Sequence, residues 1–292
     1  MTPEEIKAMV DKARSTTATG GMEYEELAPL GITETDLYIP RENGRDVHVF
    51  RLAPKELPEK TPLVINFHGG GFVKPRINWD RLWCATMIQE LGCLVWDVDY
   101  SLPPEYRFPC ASEESYDVVK YAWEHAAELG VDPDKIVLTG HSAGGNLAIT
   151  VCMRNSIDPK FKVAALMAEY SALDLKTDPS LKPNIEGDMP AWRAEAYNSI
   201  YCEPEQLGDM FVSPRFATPE YLRGFPDTMI LTAGVDRLRE ENEEFARRLA
   251  EEGVFVTCKR YVGCPHSFTI QHKTGWEDST KRILKFIRDH FA

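Results

Sequence analysis

The chain has 292 residues, 43% of them hydrophobic and 10% aromatic, which is enough to bury one large core in a single α/β domain. Its 33 basic and 46 acidic residues leave a formal charge of −13 without any cluster of Lys or Arg, which argues against nucleic acid or an anionic membrane as a partner. The same charge disfavours strongly anionic substrates, unless a local pocket overrides it.

Patterns along the chain predict strands that alternate with helices. An opening helix from Thr2 to about Ala13 starts with a capping box and leads into an irregular stretch that ends near Gly31. The remaining elements, in chain order, are strands at 36–40, 46–52 and 63–67, a helix at 80–90, a strand at 93–98, a helix at 112–129, a strand at 135–139, a helix from 143, strands at 163–168 and 228–233, a helix at 240–252, a strand at 255–261 and a helix at 280–291.

This alternation predicts one domain over residues 1–292, built on a mostly parallel sheet with helices on both faces. The turn signal Glu42-Asn43-Gly44 predicts a hairpin that adds an antiparallel edge. By contrast, the stretch from about Asp174 to Phe225 shows no regular pattern between two core strands. Such long insertions are usually functional.

The cysteines and the N-terminal segment are typical of a cytoplasmic protein. Seven scattered cysteines without a C-x-x-C pair favour free thiols in a reducing compartment. Met1 to Ile6 lack the basic start of a signal peptide, and no apolar run is long enough to span a bilayer. We therefore expect a cytoplasmic protein without a membrane partner.

A G-x-S-x-G pattern marks the most informative turn. Gly140 and Gly144 flank Ser142 where a buried strand meets a helix. Such a tight turn has no space for a side chain at these two positions, so both must be glycine. The Ser142 hydroxyl is then held at the carboxyl end of the strand, in a nucleophile's position. A glycine-rich turn with an incidental serine is the alternative unless further groups match.

Two residues after later strands supply the missing groups. His266 follows the final strand in a loop and suits a general base, although a surface loop histidine is the alternative. Asp236 follows the strand before it and suits the acid that orients the imidazole, although it also suits a helix N-cap. Glu240 is the fallback for that acid, and His141 has at most a supporting role.

The run after the third strand suggests donors for an oxyanion. His68 precedes three glycines, Gly69 to Gly71, whose backbone N–H groups are expected to point at the serine together with that of Ala143. A phosphate-binding loop is the alternative, but it would require a G-K-[ST] ending that is absent.

Together these motifs resemble those of the α/β-hydrolase superfamily, and within it the hormone-sensitive-lipase-like carboxylesterases. The motifs that carry the resemblance are His68-Gly69-Gly70-Gly71-Phe72, Asp99-Tyr100 with Pro104-Glu105 and Phe108-Pro109, Gly140-His141-Ser142-Ala143-Gly144-Gly145-Asn146-Leu147, Asp236-Arg237-Leu238-Arg239-Glu240 and His266-Ser267-Phe268. The chain departs from that family at His141, where Asp is common.

The resemblance implies an α/β-hydrolase fold with an eight-stranded sheet and a small helical cap formed by about 1–31 and 174–225. It implies a triad of Ser142, Asp236 and His266, with oxyanion donors from Gly70, Gly71 and Ala143. His68, Gly69, Gly140 and Gly144 would support these groups. Neither a metal nor an organic cofactor is implied.

We therefore predict a serine carboxylesterase that hydrolyses small-molecule esters with short acyl chains through an acyl-enzyme. An amidase or formamidase would use the same triad, and a non-catalytic ligand receptor would use the same scaffold. A homodimer is also expected, since the last strand is predicted to lie at an exposed edge of the sheet.

Overall fold

The structure, a computed structural model, describes residues 2–15, 19–42, 44–183, 185–186 and 188–292. Its strands are β1 (Ile32–Ile39), β2 (Val47–Pro54), β3 (Thr61–Phe67), β4 (Leu94–Asp99), β5 (Val131–His141), β6 (Ala165–Glu169), β7 (Asp227–Val235) and β8 (Val256–Pro265). Its helices are α1 (Pro3–Ser15), α2 (Asn78–Leu91), α3 (Cys110–Glu124), α4 (Ala126–Leu129), α5 (Ala143–Ile157), α6 (Ala191–Tyr201), α7 (Pro219–Leu222), α8 (Arg239–Glu251) and α9 (Trp276–Asp289).

Within the described residues, the strands form one eight-stranded sheet in the order β1-β2-β4-β3-β5-β6-β7-β8. β1 pairs antiparallel with β2 and β2 with β4, whereas every later pair is parallel. The predicted mostly parallel sheet with an antiparallel edge is confirmed. The parallel register places Gly140 beside Phe67 and His141 beside Glu169, so the carboxyl ends of the central strands meet at one edge.

The parallel strands are buried on both faces because helices cover the sheet on each side. Alternate residues of β3 enter opposite cores: Ile65 joins a cluster with Leu147 of α5, and Val64 joins a cluster with Ile287 of α9. Both side chains are fully buried. This explains why the central strands are continuous apolar runs rather than alternating ones.

Several boundaries differ from the sequence prediction. The single helix predicted at 112–129 is wrong: it is interrupted at His125, whose backbone (φ −104°, ψ 17°) leaves the helical region between α3 and α4. The capping box is confirmed, since Thr2 N donates to Glu5 Oε2 at 2.7 Å and Glu5 N donates to Thr2 Oγ1 at 3.2 Å. The predicted turn between β1 and β2 includes Asn43, which lies outside the described residues.

The N-terminal helix and the insertion after β6 contact each other. Val10 and Ala13 of α1 pack with Val73 and with Ile200 of α6 in a separate apolar cluster. Arg14 strengthens this contact by donating from Nε to the Val73 carbonyl at 3.1 Å. The two segments predicted to form a cap therefore pack side by side, while their division from the main domain stays a prediction.

The position of β8 at the end of the sheet matches the prediction of an edge strand. Val262 exposes 85% of its surface there, and Phe255, just before the strand, exposes 66%. The homodimer expected from this edge stays a prediction. In the described part of the chain, none of the helices has the length and apolar character needed to cross a bilayer.

Candidate active site

The turn between β5 and α5 holds Ser142 in a rare backbone conformation. Its φ of 56° and ψ of −118° lie outside the regions that L-residues usually adopt. A Cβ on Gly144 would lie 1.9 Å from the Phe67 carbonyl oxygen, and one on Gly140 would lie 2.3 Å from the Gly144 carbonyl oxygen. Both glycines are therefore required by contact, as the sequence predicted.

Three side chains from separate strand ends converge at this turn. His266 Nε2 lies 3.0 Å from Ser142 Oγ, and His266 Nδ1 lies 2.8 Å from Asp236 Oδ2. Asp236 is 1% exposed, and its other oxygen accepts the Leu238 N–H at 3.1 Å. The carboxylate is thus fixed by its own loop while it faces the imidazole, so it can hold the ring in one orientation.

The glycine-rich loop after β3 lies beside Ser142 and lines the same cavity. Gly70 and Gly71 have φ values of 122° and 62°, in the left-handed region that favours glycine. In the described part of the chain, the backbone N–H groups of Gly70, Gly71 and Ala143 donate to no protein acceptor. Ala143 is the first residue of α5, where the helix leaves N–H groups without an internal partner.

Buried polar contacts fix the ends of this loop. His68 is fully buried, stacks on Tyr100 with ring centroids 4.3 Å apart, and accepts the Tyr100 hydroxyl at its carbonyl. Arg76 joins Asp97 and Glu34 by ion pairs, and all three side chains are at most 6% exposed. The loop is therefore anchored to the sheet on both sides of its glycines.

His141 pairs with an acid from α2. Its Nε2 lies 3.2 Å from Asp80 Oδ1 and 2.9 Å from the Gly69 nitrogen. Burial lowers the pKa of His141, but the Asp80 carboxylate more than offsets it, so the pKa is raised overall. His141 thus connects the serine turn to α2 through Asp80 and to the glycine-rich loop through Gly69.

Glu169 ends β6 directly behind the serine turn. Its carbonyl accepts the Ser142 N–H at 2.9 Å, and its side chain is fully buried. Burial raises the pKa of the Glu169 carboxyl to about 7, with only partial offsets from Thr269 and His141. Glu169, whose pKa is raised by burial, therefore lies next to His141, whose pKa is raised by Asp80.

A cavity of about 510 Å³ opens over Ser142 and His266. Its walls come from the glycine-rich loop, from the insertion and from the loop after β8. On α6, Tyr197 covers the glycine-rich loop, because a Cβ on Gly71 would lie 2.3 Å from the Tyr197 ring. The described residues contain no group of three His, Cys, Asp or Glu side chains placed to bind a metal ion.

Some expectations about neighbouring residues are corrected. The fallback acid Glu240 is wrong: its side chain is 62% exposed and pairs with Arg239, whereas Asp236 contacts His266. Sequence reasoning missed Asp80 and Glu169. The rule that functional groups gather at the carboxyl ends of parallel strands would have selected Glu169, had the predicted strand at 163–168 been extended by one residue.

Comparisons with known proteins agree on one family. A family model described as the alpha/beta hydrolase fold matches residues 64–270. An arylesterase from Saccharolobus solfataricus is 30% identical over 245 residues, covering 78% of this chain and 75% of that protein. Hormone-sensitive lipase from Bos taurus is 36% identical over 147 residues, covering 50% of this chain and 19% of that protein. A solved esterase structure from Pyrobaculum calidifontis matches with a TM-score of 0.83 at 26% identity, covering 97% of this chain and 93% of that one.

The raised pKa of Glu169 predicts how stability depends on pH. Between the ordinary value of 4.5 and about 7, the folded carboxyl keeps a proton that the unfolded one has lost. The free energy of unfolding therefore falls as pH rises through this window, with a limiting slope of about 1.4 kcal/mol per pH unit from this one group. Glu169→Gln mimics the neutral form of the carboxyl. Its free energy of unfolding, measured by urea unfolding at pH 5, 6, 7 and 8, should therefore fall less steeply with pH than that of the wild type.

Glu205→Gln provides the control, because Glu205 is exposed outside the site. That variant should keep the wild-type slope. Equal slopes for wild type and Glu169→Gln would contradict the assignment of a neutral buried carboxyl.

Proposed function

This chain belongs to the α/β-hydrolase family and, within it, to the hormone-sensitive-lipase-like carboxylic ester hydrolases, and we propose that it hydrolyses short-chain esters through an acyl-enzyme on Ser142. The observation that carries the proposal is the continuous path of contacts from Asp236 through His266 to Ser142, at 2.8 and 3.0 Å. An alcohol, an imidazole and a buried carboxylate in this order can transfer a proton away from the attacking oxygen.

In the first half of the reaction, Ser142 Oγ forms a bond to the ester carbonyl carbon while His266 Nε2 takes the hydroxyl proton. The carbonyl oxygen becomes an oxyanion, and the N–H groups of Gly70, Gly71 and Ala143 are proposed to receive it. These N–H groups are available for this role because, among the described residues, none of them donates a hydrogen bond to a protein acceptor. His266 then gives the proton to the alcohol oxygen as the C–O bond breaks.

In the second half, water attacks the acyl carbon and His266 accepts one of its protons. The bond between the carbonyl carbon and Ser142 Oγ breaks, and the same proton returns to the serine. The carboxylic acid product leaves, and the enzyme is restored. Asp236 accepts the hydrogen bond from His266 Nδ1 and stabilises the imidazolium that forms twice in each cycle.

The cavity supports a short acyl chain and an ester of modest size. A volume of about 510 Å³ is in the range of sites that enclose a small organic molecule. Tyr197 and Leu175 line the cavity from the insertion and limit its extent. We assign to the packed segments α1 and α6 the role of a cap over this pocket. The relatives named as esterases favour ester over amide substrates.

The nucleophile is tested by Ser142→Ala. With 4-nitrophenyl butyrate as substrate, kcat should fall by about 10⁴- to 10⁶-fold, because the nucleophile is lost while the fold is kept. Adding His266→Ala to that variant should cause little further loss, since the two groups act as a unit. A fluorophosphonate probe should label the wild type but not Ser142→Ala.

Ser15→Ala is a matched control, because Ser15 is exposed at the end of α1 and should leave labelling and turnover unchanged. Circular dichroism should show the same fold for each variant. Near-wild-type turnover in a folded Ser142→Ala protein would refute the proposed nucleophile.

The proposed acyl preference is tested with 4-nitrophenyl acetate, butyrate, octanoate and palmitate. We expect kcat/KM to be highest for acetate or butyrate and to fall by about tenfold or more at palmitate, because a long chain must displace packed side chains. The assay uses Ser142→Ala as the blank for each ester. A maximum at palmitate would contradict a pocket for short acyl groups.

A further inference from the structure

The active-site cavity is lined by cations that have no carboxylate partner. Lys74 follows the glycine-rich loop, Arg193 lies on α6, and Lys273 lies in the loop after β8. In the described part of the chain, none of the three comes within 4.0 Å of a carboxylate oxygen. Three segments on different sides of the cavity thus each contribute an unpaired positive charge.

The lack of a carboxylate partner distinguishes these cations from others in the same cavity. Two other cations of the same cavity are paired: Lys182 with Glu241 at 2.5 Å and Arg237 with Asp188 at 3.1 Å. Lys74 and Arg193 therefore differ from their neighbours in facing the cavity without a counter-charge.

The acids of the cavity are already engaged. Asp80 faces His141, and Asp188 holds Arg237. Asp174 accepts the Thr177 N–H and pairs with Arg215, each at 2.8 Å. No cavity acid is left to neutralise the unpaired cations, so the cavity is positive although the chain as a whole is negative.

Lys74 and Arg193 also lie near the reacting centre and near each other. A Cβ on Gly70 would lie 2.9 Å from the Lys74 Cβ, so Lys74 packs directly beside the glycine-rich loop that faces Ser142. Arg193 lies one helical turn before Tyr197, the residue that covers Gly71. Burial and the charge of Arg193 both lower the pKa of Lys74, so the two cations destabilise each other when no anion is present.

We propose that the natural substrate is an ester that carries a carboxylate away from the scissile bond, and that Lys74 and Arg193 bind this carboxylate. The inference rests on the proposed function and specifies the substrate of that same site. A carboxylate between the two cations replaces their repulsion with two charge-assisted hydrogen bonds. The net charge of −13 opposes a dianion more strongly than a monoanion, which favours a carboxylate over a phosphate monoester.

The test compares matched esters that differ only in charge. One pair, 4-nitrophenyl hydrogen adipate and its methyl ester, carries the charge on the acyl side. The other pair, 4-acetoxybenzoate and its methyl ester, carries it on the alcohol side. In at least one pair we expect the wild-type kcat/KM for the acid to exceed that for the methyl ester by about tenfold, the usual contribution of a hydrogen bond between charged groups.

The variants assign the preference to the two cations. Lys74→Met and Arg193→Met should each reduce the ratio of kcat/KM for acid over methyl ester, and the double variant should bring it close to one. Lys74→Arg, which keeps the charge, should retain most of the preference. Lys55→Met, at an exposed position outside the cavity, is the control and should keep the wild-type ratio.

The outcomes separate this inference from the esterase assignment. Hydrolysis of both methyl esters without any preference for either acid would overturn the inference and leave the esterase intact. A preference that survives in the double variant would also overturn it, because other groups would then bind the carboxylate. Failure of the wild type to hydrolyse any of the four esters would instead refute the proposed function, and the inference with it.

Discussion

The constraint on which the whole site depends is the contact between the helix that follows Ser142 and the strand beside it. With only 1.9 Å between the Phe67 carbonyl oxygen and the place of a Gly144 Cβ, α5 begins directly against the end of β3. In the same tight turn Ser142 has a φ of 56°, a conformation that costs about 1 to 3 kcal/mol. The turn also brings the first N–H groups of α5 beside the glycine-rich loop. One tight turn thus holds both the proposed nucleophile and one of the proposed donors.

The distribution of charge around this turn explains how an acidic chain can form a positive cavity. Carboxyl groups near the serine are either paired, as Asp80 is with His141, or have a pKa raised by burial, as Glu169 has. Lys74 and Arg193, in contrast, face the cavity unpaired. A formal charge summed over the whole sequence therefore gives little information about the substrate, because most of the excess negative charge lies away from the cavity or is neutralised within it.

The fold and the three converging side chains were predictable because their signals are local. Ser142, Asp236 and His266 each follow an apolar strand, and parallel strands bring their carboxyl ends to one edge. The competing interpretation of Asp236 as a helix N-cap is wrong, because Leu238 occupies the N-cap of α8; one Asp236 oxygen accepts the Leu238 N–H ahead of the helix while the other faces His266. Contacts such as Arg76 with Glu34, or Lys74 near Arg193, join segments far apart in the chain, and no local pattern indicates them. The same holds for α6, whose Ile200 packs against Val10 and Ala13 of the distant helix α1.

The central claim is that Ser142 and the three unoccupied N–H groups form one reaction centre, and a crystal structure of the enzyme inhibited by a 4-nitrophenyl alkylphosphonate tests it most directly. The account predicts phosphorus bonded to Ser142 Oγ, with the phosphoryl oxygen about 2.7 to 3.1 Å from at least two of the N–H groups of Gly70, Gly71 and Ala143. Phosphorus on another residue, or a phosphoryl oxygen turned away from these groups, would contradict it.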